Sequence, residues 1–303
     1  MCDHGGMRTP YDEFSLLREN AEEFGISYER PPQVRRTSVD VGHRRRLSAL
    51  VWGRESPTLV FLHGGAQNAH TWDTVALALG LPMVAVDLPG HGHSDAGVAG
   101  SLDVDRNAED IAVLMADVAP DARAVVGMSL GGMTALALHR HSPHLCPRIV
   151  LVDITPGVDA TKSASISAFV NGPDRFEHFD DLLARTIEHN PTRSVASLRR
   201  GILHNAVQLD DETWMWRYAR HGALEAEAHP DFTPLWDVVS TIDVPLMLVR
   251  GMREQSVVDD GDEAELMRRC PHARVARVAD AGHSVQGDAP LELASLIRNF
   301  VET

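Results

Sequence analysis

The sequence predicts an α/β fold, a mostly parallel sheet covered by helices. Several strand-like runs, such as Thr58 to Leu62 and Arg148 to Val152, are unbroken stretches of Val, Leu and Ile. Strands buried on both faces read this way, whereas half-exposed ones alternate. Helical stretches alternate with these runs, and strand, helix, strand repetition marks an α/β sheet. At 303 residues the chain is long enough for one such domain with an insertion.

The elements follow in order. The N-terminus, "MCDHGGMRTP", lacks the basic stretch and apolar run of a signal peptide. No later segment approaches the roughly 20 apolar residues that a bilayer requires, so the chain is expected to be cytoplasmic. From Tyr11 to Phe24, apolar Phe14, Leu16, Leu17 and Phe24 among acids predict a short amphipathic helix that caps the core or packs on a partner. Strands are expected at Thr37 to Val41, Leu47 to Trp52, Thr58 to Leu62, Met83 to Val86, Ala124 to Val126, Arg148 to Val152, Pro245 to Val249 and Arg274 to Val278. Helices are expected at Asp105 to Val118, Gly131 to Arg140, Glu263 to Arg269 and Leu291 to Val301. Between about Pro156 and Ser240 no strand is evident and the sequence turns polar and helical. A structureless loop of that length is uncommon, so a helical cap is expected there. The predicted organisation is an N-terminal extension over 1–33, a core over 34–155 and 241–303, and a cap over 156–240.

Charge narrows the function. With 28 basic and 43 acidic residues, the formal charge is −15, which repels nucleic acid and anionic membrane. A small molecule is the expected partner, and a homodimer is allowed. Cys2, Cys146 and Cys270 are odd in number, far apart and without C-x-x-C spacing, and read as incidental thiols.

The motif with the most chemistry is "VVGMSLGGM". A strand ending at Val126 and a helix starting near Leu130 leave Ser129 on a very sharp turn, with Gly127 and Gly131 removing side chains that would collide. Such a serine presents its hydroxyl above the sheet beside the positive end of a helix, and the Leu130 N–H can donate to an oxyanion. A serine nucleophile requires a base and an orienting acid. His283, in "VADAGHSVQGDAP", lies in the loop between the last strand and the last helix and is the expected base. Two acids compete. Asp153 ends the apolar strand next to that of the serine, where burial would leave it short of donors unless His283 reaches it. Glu254, in "VRGMREQSVV", follows the next strand, where an ion pair with Arg253 is the alternative use. Asp153 is favoured. The second oxyanion donor should come from His63-Gly64-Gly65-Ala66, whose glycines let backbone amides approach a substrate.

Together with the loop Asp87-Leu88-Pro89-Gly90-His91-Gly92-His93-Ser94, these segments resemble the α/β-hydrolase superfamily, in its lid-bearing branch of esterases, carbon-carbon bond hydrolases and haloalkane dehalogenases. The resemblance covers about Thr37 to Val301. It implies an eight-stranded sheet, a helical cap after strand six, and hydrolysis through a covalent serine intermediate. By that analogy Ser129 is nucleophile, His283 base, and the Gly65 and Leu130 amides the oxyanion hole. The family most often carries Asp where this chain has Glu254, so the acid would have moved to Asp153, as in the dehalogenase branch. That branch, however, uses Asp as nucleophile, and Ser129 argues against its chemistry.

In the cap, His204, Asn205, Trp214, Trp216, Arg217 and His221 are candidates to line a substrate pocket, with Trp214, Trp216 and His204 foremost. The tryptophans suit a cap core equally well. "HRHSPH", His139 to His144, lacks H-E-x-x-H spacing and reads as a solvated helix end, so no metal is expected. "GHGHSD" reads as a tight turn without phosphate-loop spacing, and no cofactor is implied. The expected function is a serine hydrolase of a small ester, thioester or lactone. The alternatives are a carbon-carbon bond hydrolase and a non-catalytic ligand-binding protein of the same fold.

Overall fold

The computed structural model describes residues 11–97, 102–218 and 230–303. Its strands are β1 (Val34–Asp40), β2 (Arg46–Trp52), β3 (Leu59–Leu62), β4 (Met83–Val86), β5 (Ala124–Met128), β6 (Ile149–Val152), β7 (Arg175–Phe176), β8 (Ala206–Gln208), β9 (Trp214–Trp216), β10 (Leu246–Gly251) and β11 (Arg274–Val278). The helices are α1 (Leu17–Glu23), α2 (Asp73–Leu79), α3 (Val104–Val118), α4 (Leu130–His141), α5 (Ala164–Val170), α6 (Phe179–His189), α7 (Val195–Asn205), α8 (Leu235–Thr241), α9 (Asp260–Arg269), α10 (Val285–Asp288) and α11 (Pro290–Glu302).

Eight strands form one sheet in the order β1-β2-β4-β3-β5-β6-β10-β11. Strands β4, β3, β5, β6, β10 and β11 pair in parallel, and β2 runs antiparallel to both of its neighbours. The runs of β3, β4, β5 and β6 are fully buried because each face of the sheet meets its own layer of helices. Val60, Leu62, Val84, Val86, Val125 and Leu151 share one apolar cluster with residues of α3, α4 and α8. The alternate residues Leu59, Phe61, Met83, Ala85, Val126 and Val150 share the other with α2 and α11.

Two elements of the core start three residues earlier than expected. β1 starts at Val34, because its first residues pair with β2 although they are half-exposed and carry Arg35 and Arg36. α9 starts at Asp260, where Asp259 and Asp262 form a reciprocal capping box.

The expectation of no strand between Pro156 and Ser240 is corrected. There, α5, α6 and α7 accompany a small antiparallel sheet in the order β7-β9-β8. Strands of two or three residues are too short to show a period, which is why pattern alone misses them. α8 also falls inside that interval, yet Leu235, Trp236, Val238 and Val239 lie in the main core beside α4 residues. The N-terminal segment packs two ways at once. Leu17 enters the sheet-side core, and its neighbour Leu16 joins the cluster of Trp214, Trp216 and Tyr218. Among the described residues no helix is long and apolar enough to cross a membrane.

Candidate active site

The candidate residues converge at the C-terminal ends of the parallel strands, where open α/β sheets place their ligands. Met128 pairs with Val152 across β5 and β6, so the next residues, Ser129 and Asp153, leave adjacent strands side by side. Ser129 has φ 51° and ψ −121°, a conformation that L-residues avoid. It is held there by the tightness of the turn. A Cβ on Gly127 would overlap the Gly131 carbonyl, and one on Gly131 would overlap that of Leu62. Only glycines fit both positions, so α4 can start one residue after the serine. In its first turn the Gly132 and Met133 N–H groups donate to the Ser129 carbonyl at 2.8 and 3.1 Å, and the helix places its positive end beside the serine.

Asp153 is fully buried and also has positive φ, 46°. Its Oδ2 lies 3.0 Å from His283 Nδ1. Contrary to expectation, the carboxylate is not otherwise short of donors. Oδ1 accepts from Gly251 N–H at 2.8 Å and from the Ser256 hydroxyl at 2.6 Å, and Oδ2 accepts from Val257 N–H at 3.1 Å. The loop after β10 closes over the acid and supplies these donors, a contribution invisible in the spacing of the sequence. Glu254, the competing acid, is exposed and accepts from Gln255 Nε2 at 3.1 Å, while Arg253 pairs with Asp280 rather than with it. His283 sits between β11 and α10, its side chain mostly buried.

The His63-Gly64-Gly65 turn lies against the serine. A Cβ on Gly64 would come within 3.2 Å of Ser129 Cβ. Gly64 N–H donates to Gln67 Oε1 at 3.2 Å and Ala66 N–H to His91 Nε2 at 3.1 Å. The N–H groups of Gly65 and Leu130 have no hydrogen-bond acceptor among the described residues. His63 fixes the turn by donating from Nδ1 to the Gly64 carbonyl at 2.7 Å and accepting the Leu88 N–H on Nε2 at 2.9 Å. Burial pushes its pKa down, which keeps the neutral tautomer this pattern requires. In the Asp87 to Ser94 loop, Gly90 N–H donates to the Asp95 carbonyl at 2.9 Å, closing the tight turn. Asp87 accepts from Arg36, Ala69 N–H and His93 N–H; burial alone would raise its pKa, but Arg36 and the backbone donors hold it below the usual range.

The pocket candidates divide. His204, Asn205 and Trp216 line a cavity of about 160 Å³ between α1, the turn Ala69–Trp72, α7 and the start of α10. Trp214 does not line it. Its ring packs edge-on against Phe179 at 5.0 Å inside the apolar cluster of the segment, where its large surface is buried. Arg217 donates to the Ala206 carbonyl at 3.1 Å, and His221 lies outside the described residues. In the "HRHSPH" stretch, α4 ends at His141, and His139 is buried rather than solvated. Cys146 and Cys270 are buried and unlinked, and burial pushes the Cys146 thiol up to about 12. Cys2 lies outside the described residues.

Pattern reading missed a buried cluster of His70, Asp73 and His204, whose candidate ligand atoms lie within 4.8 Å of one another. Imidazole lone pairs lie in the ring plane, and the two rings stack at 3.8 Å with 9° between planes. They therefore cannot both aim at one ion unless a ring turns. The hydrogen bonds describe a polar strap instead. His70 Nδ1 meets Asp73 at 2.8 Å, His70 Nε2 meets Glu13 at 3.1 Å, and the Tyr11 hydroxyl meets His204 Nδ1 at 2.8 Å.

Comparison with known proteins agrees with this architecture. A profile described as the alpha/beta hydrolase fold matches residues 57–290. The chain is 42% identical to esterase Rv0045c of Mycobacterium tuberculosis, over 97% of both chains. It is 30% identical to a pimeloyl-[acyl-carrier protein] methyl ester esterase of Aromatoleum aromaticum, over 81% of this chain and 98% of that one. A solved structure of the mycobacterial esterase aligns with a TM-score of 0.86 at 43% identity, covering 97% of this chain and all of the other.

Proposed function

The chain belongs to the alpha/beta hydrolase fold family, and on that premise we propose that it is a serine-dependent carboxylic ester hydrolase acting on a small ester, thioester or lactone. In this reading Ser129 Oγ attacks the substrate carbonyl while His283 Nε2 takes its proton. Asp153 accepts the Nδ1 proton of His283 and so fixes the tautomer that leaves Nε2 free to act as base. Charge developing on the carbonyl oxygen is met by the Gly65 and Leu130 amides, two donors whose direction is set before the reaction starts. His283 then hands its proton to the departing alcohol or thiol. A water activated by the same imidazole attacks the acyl-serine, breaks the acyl–oxygen bond and releases the acid. The insertion after β6 acts as a lid, with Trp216 and His204 on the substrate side.

The observation that carries this reading is the 3.0 Å contact between His283 and Asp153 beside a serine at positive φ. Backbone strain of this kind persists only where the surrounding structure enforces it and clusters at active sites. The homology to named esterases supports the ester class over carbon-carbon bonds. The test is covalent labelling with a fluorophosphonate probe alongside hydrolysis of p-nitrophenyl esters of graded acyl length. Stoichiometric labelling that disappears in Ser129→Ala, together with turnover, is expected. A folded protein that neither labels nor turns over any ester would instead be a ligand-binding member of the family.

A further inference from the structure

Residues of the candidate catalytic turns line the cavity of about 160 Å³, although Ser129, His283, Gly65 and Leu130 themselves do not. Gln67, on its wall, accepts the Gly64 N–H at 3.2 Å. Ser284, Gln286 and Gly287, also on its wall, follow directly after His283. Two guanidinium groups line this space, and they differ sharply. Arg200 is neutralised: it pairs with Glu23 and donates to Asn20 Oδ1 at 2.7 Å. Arg193 has no ion pair among the described residues, and its one side-chain hydrogen bond among them runs from Nη2 to the Ser197 hydroxyl at 2.7 Å. Its Nε is buried without an acceptor. Asp288, the carboxylate acting on it most strongly, has its oxygens taken up by Gly282 N–H at 2.9 Å and the Thr192 hydroxyl at 3.3 Å. Burial, together with the positive charge of Arg200, pulls the Arg193 pKa below its ordinary value against the opposing pull of Asp288 and Glu23. A partly desolvated guanidinium without a carboxylate is costly, and its planar donor fork matches carboxylate geometry. The absence of a side chain on Gly287 makes the placement possible, since a Cβ there would lie 2.9 Å from Arg193 Cζ.

We propose that this cavity seats a carboxylate carried by the substrate, bound by Arg193, so that the ester cleaved at Ser129 is an anionic one such as the half-ester of a dicarboxylic acid. The inference rests on the ester-hydrolase reading above and adds the substrate class to it.

The test compares monomethyl esters of dicarboxylic acids, five to eight carbons long, with methyl esters of the matching fatty acids, by methanol release. The wild type is expected to favour an anionic ester over its neutral partner by about tenfold or more in kcat/KM, the scale of a charge-assisted hydrogen bond. Arg193→Gln and Arg193→Met should collapse that ratio and Arg193→Lys should keep part of it. Taking the ratio within each variant cancels any general loss of activity. Gly287→Ala, which displaces the guanidinium without removing it, should also lower the ratio. A second readout is independent of turnover: adipate should raise the melting temperature of the wild type more than that of Arg193→Gln. A wild type that prefers the neutral esters, or a preference that survives Arg193→Gln, overturns the proposal. If no ester is cleaved but the adipate shift depends on Arg193, the cavity assignment stands and the hydrolase reading falls. If that shift is absent too, both fall.

Discussion

Ser129 pays for its position with backbone strain: at φ 51° and ψ −121° it occupies a region open to glycine, and a non-glycine residue there costs about 1–3 kcal/mol. Two substitutions separate the backbone contribution from the hydroxyl. Ser129→Ala keeps the strain and should leave the melting temperature near that of the wild type while removing turnover by several powers of ten. Ser129→Gly removes both hydroxyl and strain. Part of its gain is lost to the greater freedom of glycine in the unfolded chain, and a net rise equivalent to about 1 kcal/mol is expected by calorimetry. Equal melting temperatures for the two variants would show that the turn is relaxed. Asp153 is similarly constrained, by its four donors. Both of its oxygens accept, so either orientation of an amide sets an NH2 against at least one N–H or O–H. Asp153→Asn should therefore lower turnover at least about a hundredfold and also destabilise the fold by about 1–3 kcal/mol. Glu254→Gln, exposed and away from His283, should cost less than about tenfold in rate. Kinetics and thermal melts on the pair distinguish the two acids directly.

The strand-to-helix turn around Ser129 is the element most tightly specified by its sequence. Gly131→Ala would drive a methyl group into the Leu62 carbonyl, a backbone atom of a central strand that cannot move aside. A loss of about 3 kcal/mol or more is expected, at the upper end for an overpacked core, and urea denaturation measures it. This element was legible in the sequence because its requirements are local: glycines at fixed offsets between a Val run and an apolar helix. The central strands were legible for a related reason, since burial on both faces leaves unbroken apolar text. β7, β8 and β9 were not, as their two or three residues carry no period and their pairing is decided by the aromatic cluster around Trp216. Long-range polar partners were equally hidden. Nothing in "EQSVV" announces that the Ser256 hydroxyl and the Val257 amide serve a carboxylate about a hundred residues earlier. Arg193, one arginine among many, is distinguished only by what fails to pair with it once the chain is folded.

Across the whole molecule, the N-terminal segment fastens the core to the insertion. Tyr11 reaches His204 at the end of α7, Glu13 reaches His70 and Arg36 in the core, and Glu23 pairs with Arg200. At the centre is His70, held between Glu13 and Asp73. Burial alone would lower its pKa, but the Asp73 charge and the hydrogen bonds to both carboxylates raise it from 6.5 to about 9. A histidine whose folded pKa exceeds its unfolded one contributes stability in full below the unfolded value and loses it as pH climbs through the folded value. The strap should accordingly be intact at pH 6 and weaken between about pH 6.5 and 9, by roughly 1–3 kcal/mol in total. Glu13→Gln removes one of the two carboxylates, leaves Asp73 paired and should shift this loss to lower pH. His70→Asn, if it folds, should abolish the pH dependence in this window. Thermal melts of wild type and Glu13→Gln at half-unit steps from pH 6 to 10, with the His70 ring protons followed by NMR, measure both quantities. A His70 midpoint at or below 6.5 would mean that the two carboxylates give its charged form no net stabilisation, and the same pH dependence in both proteins would mean that Glu13 contributes none of it. The extension would then be fastened by Tyr11 to His204, Glu13 to Arg36 and Glu23 to Arg200, together with the apolar contacts of Leu16 in the insertion cluster and Leu17 in the sheet core.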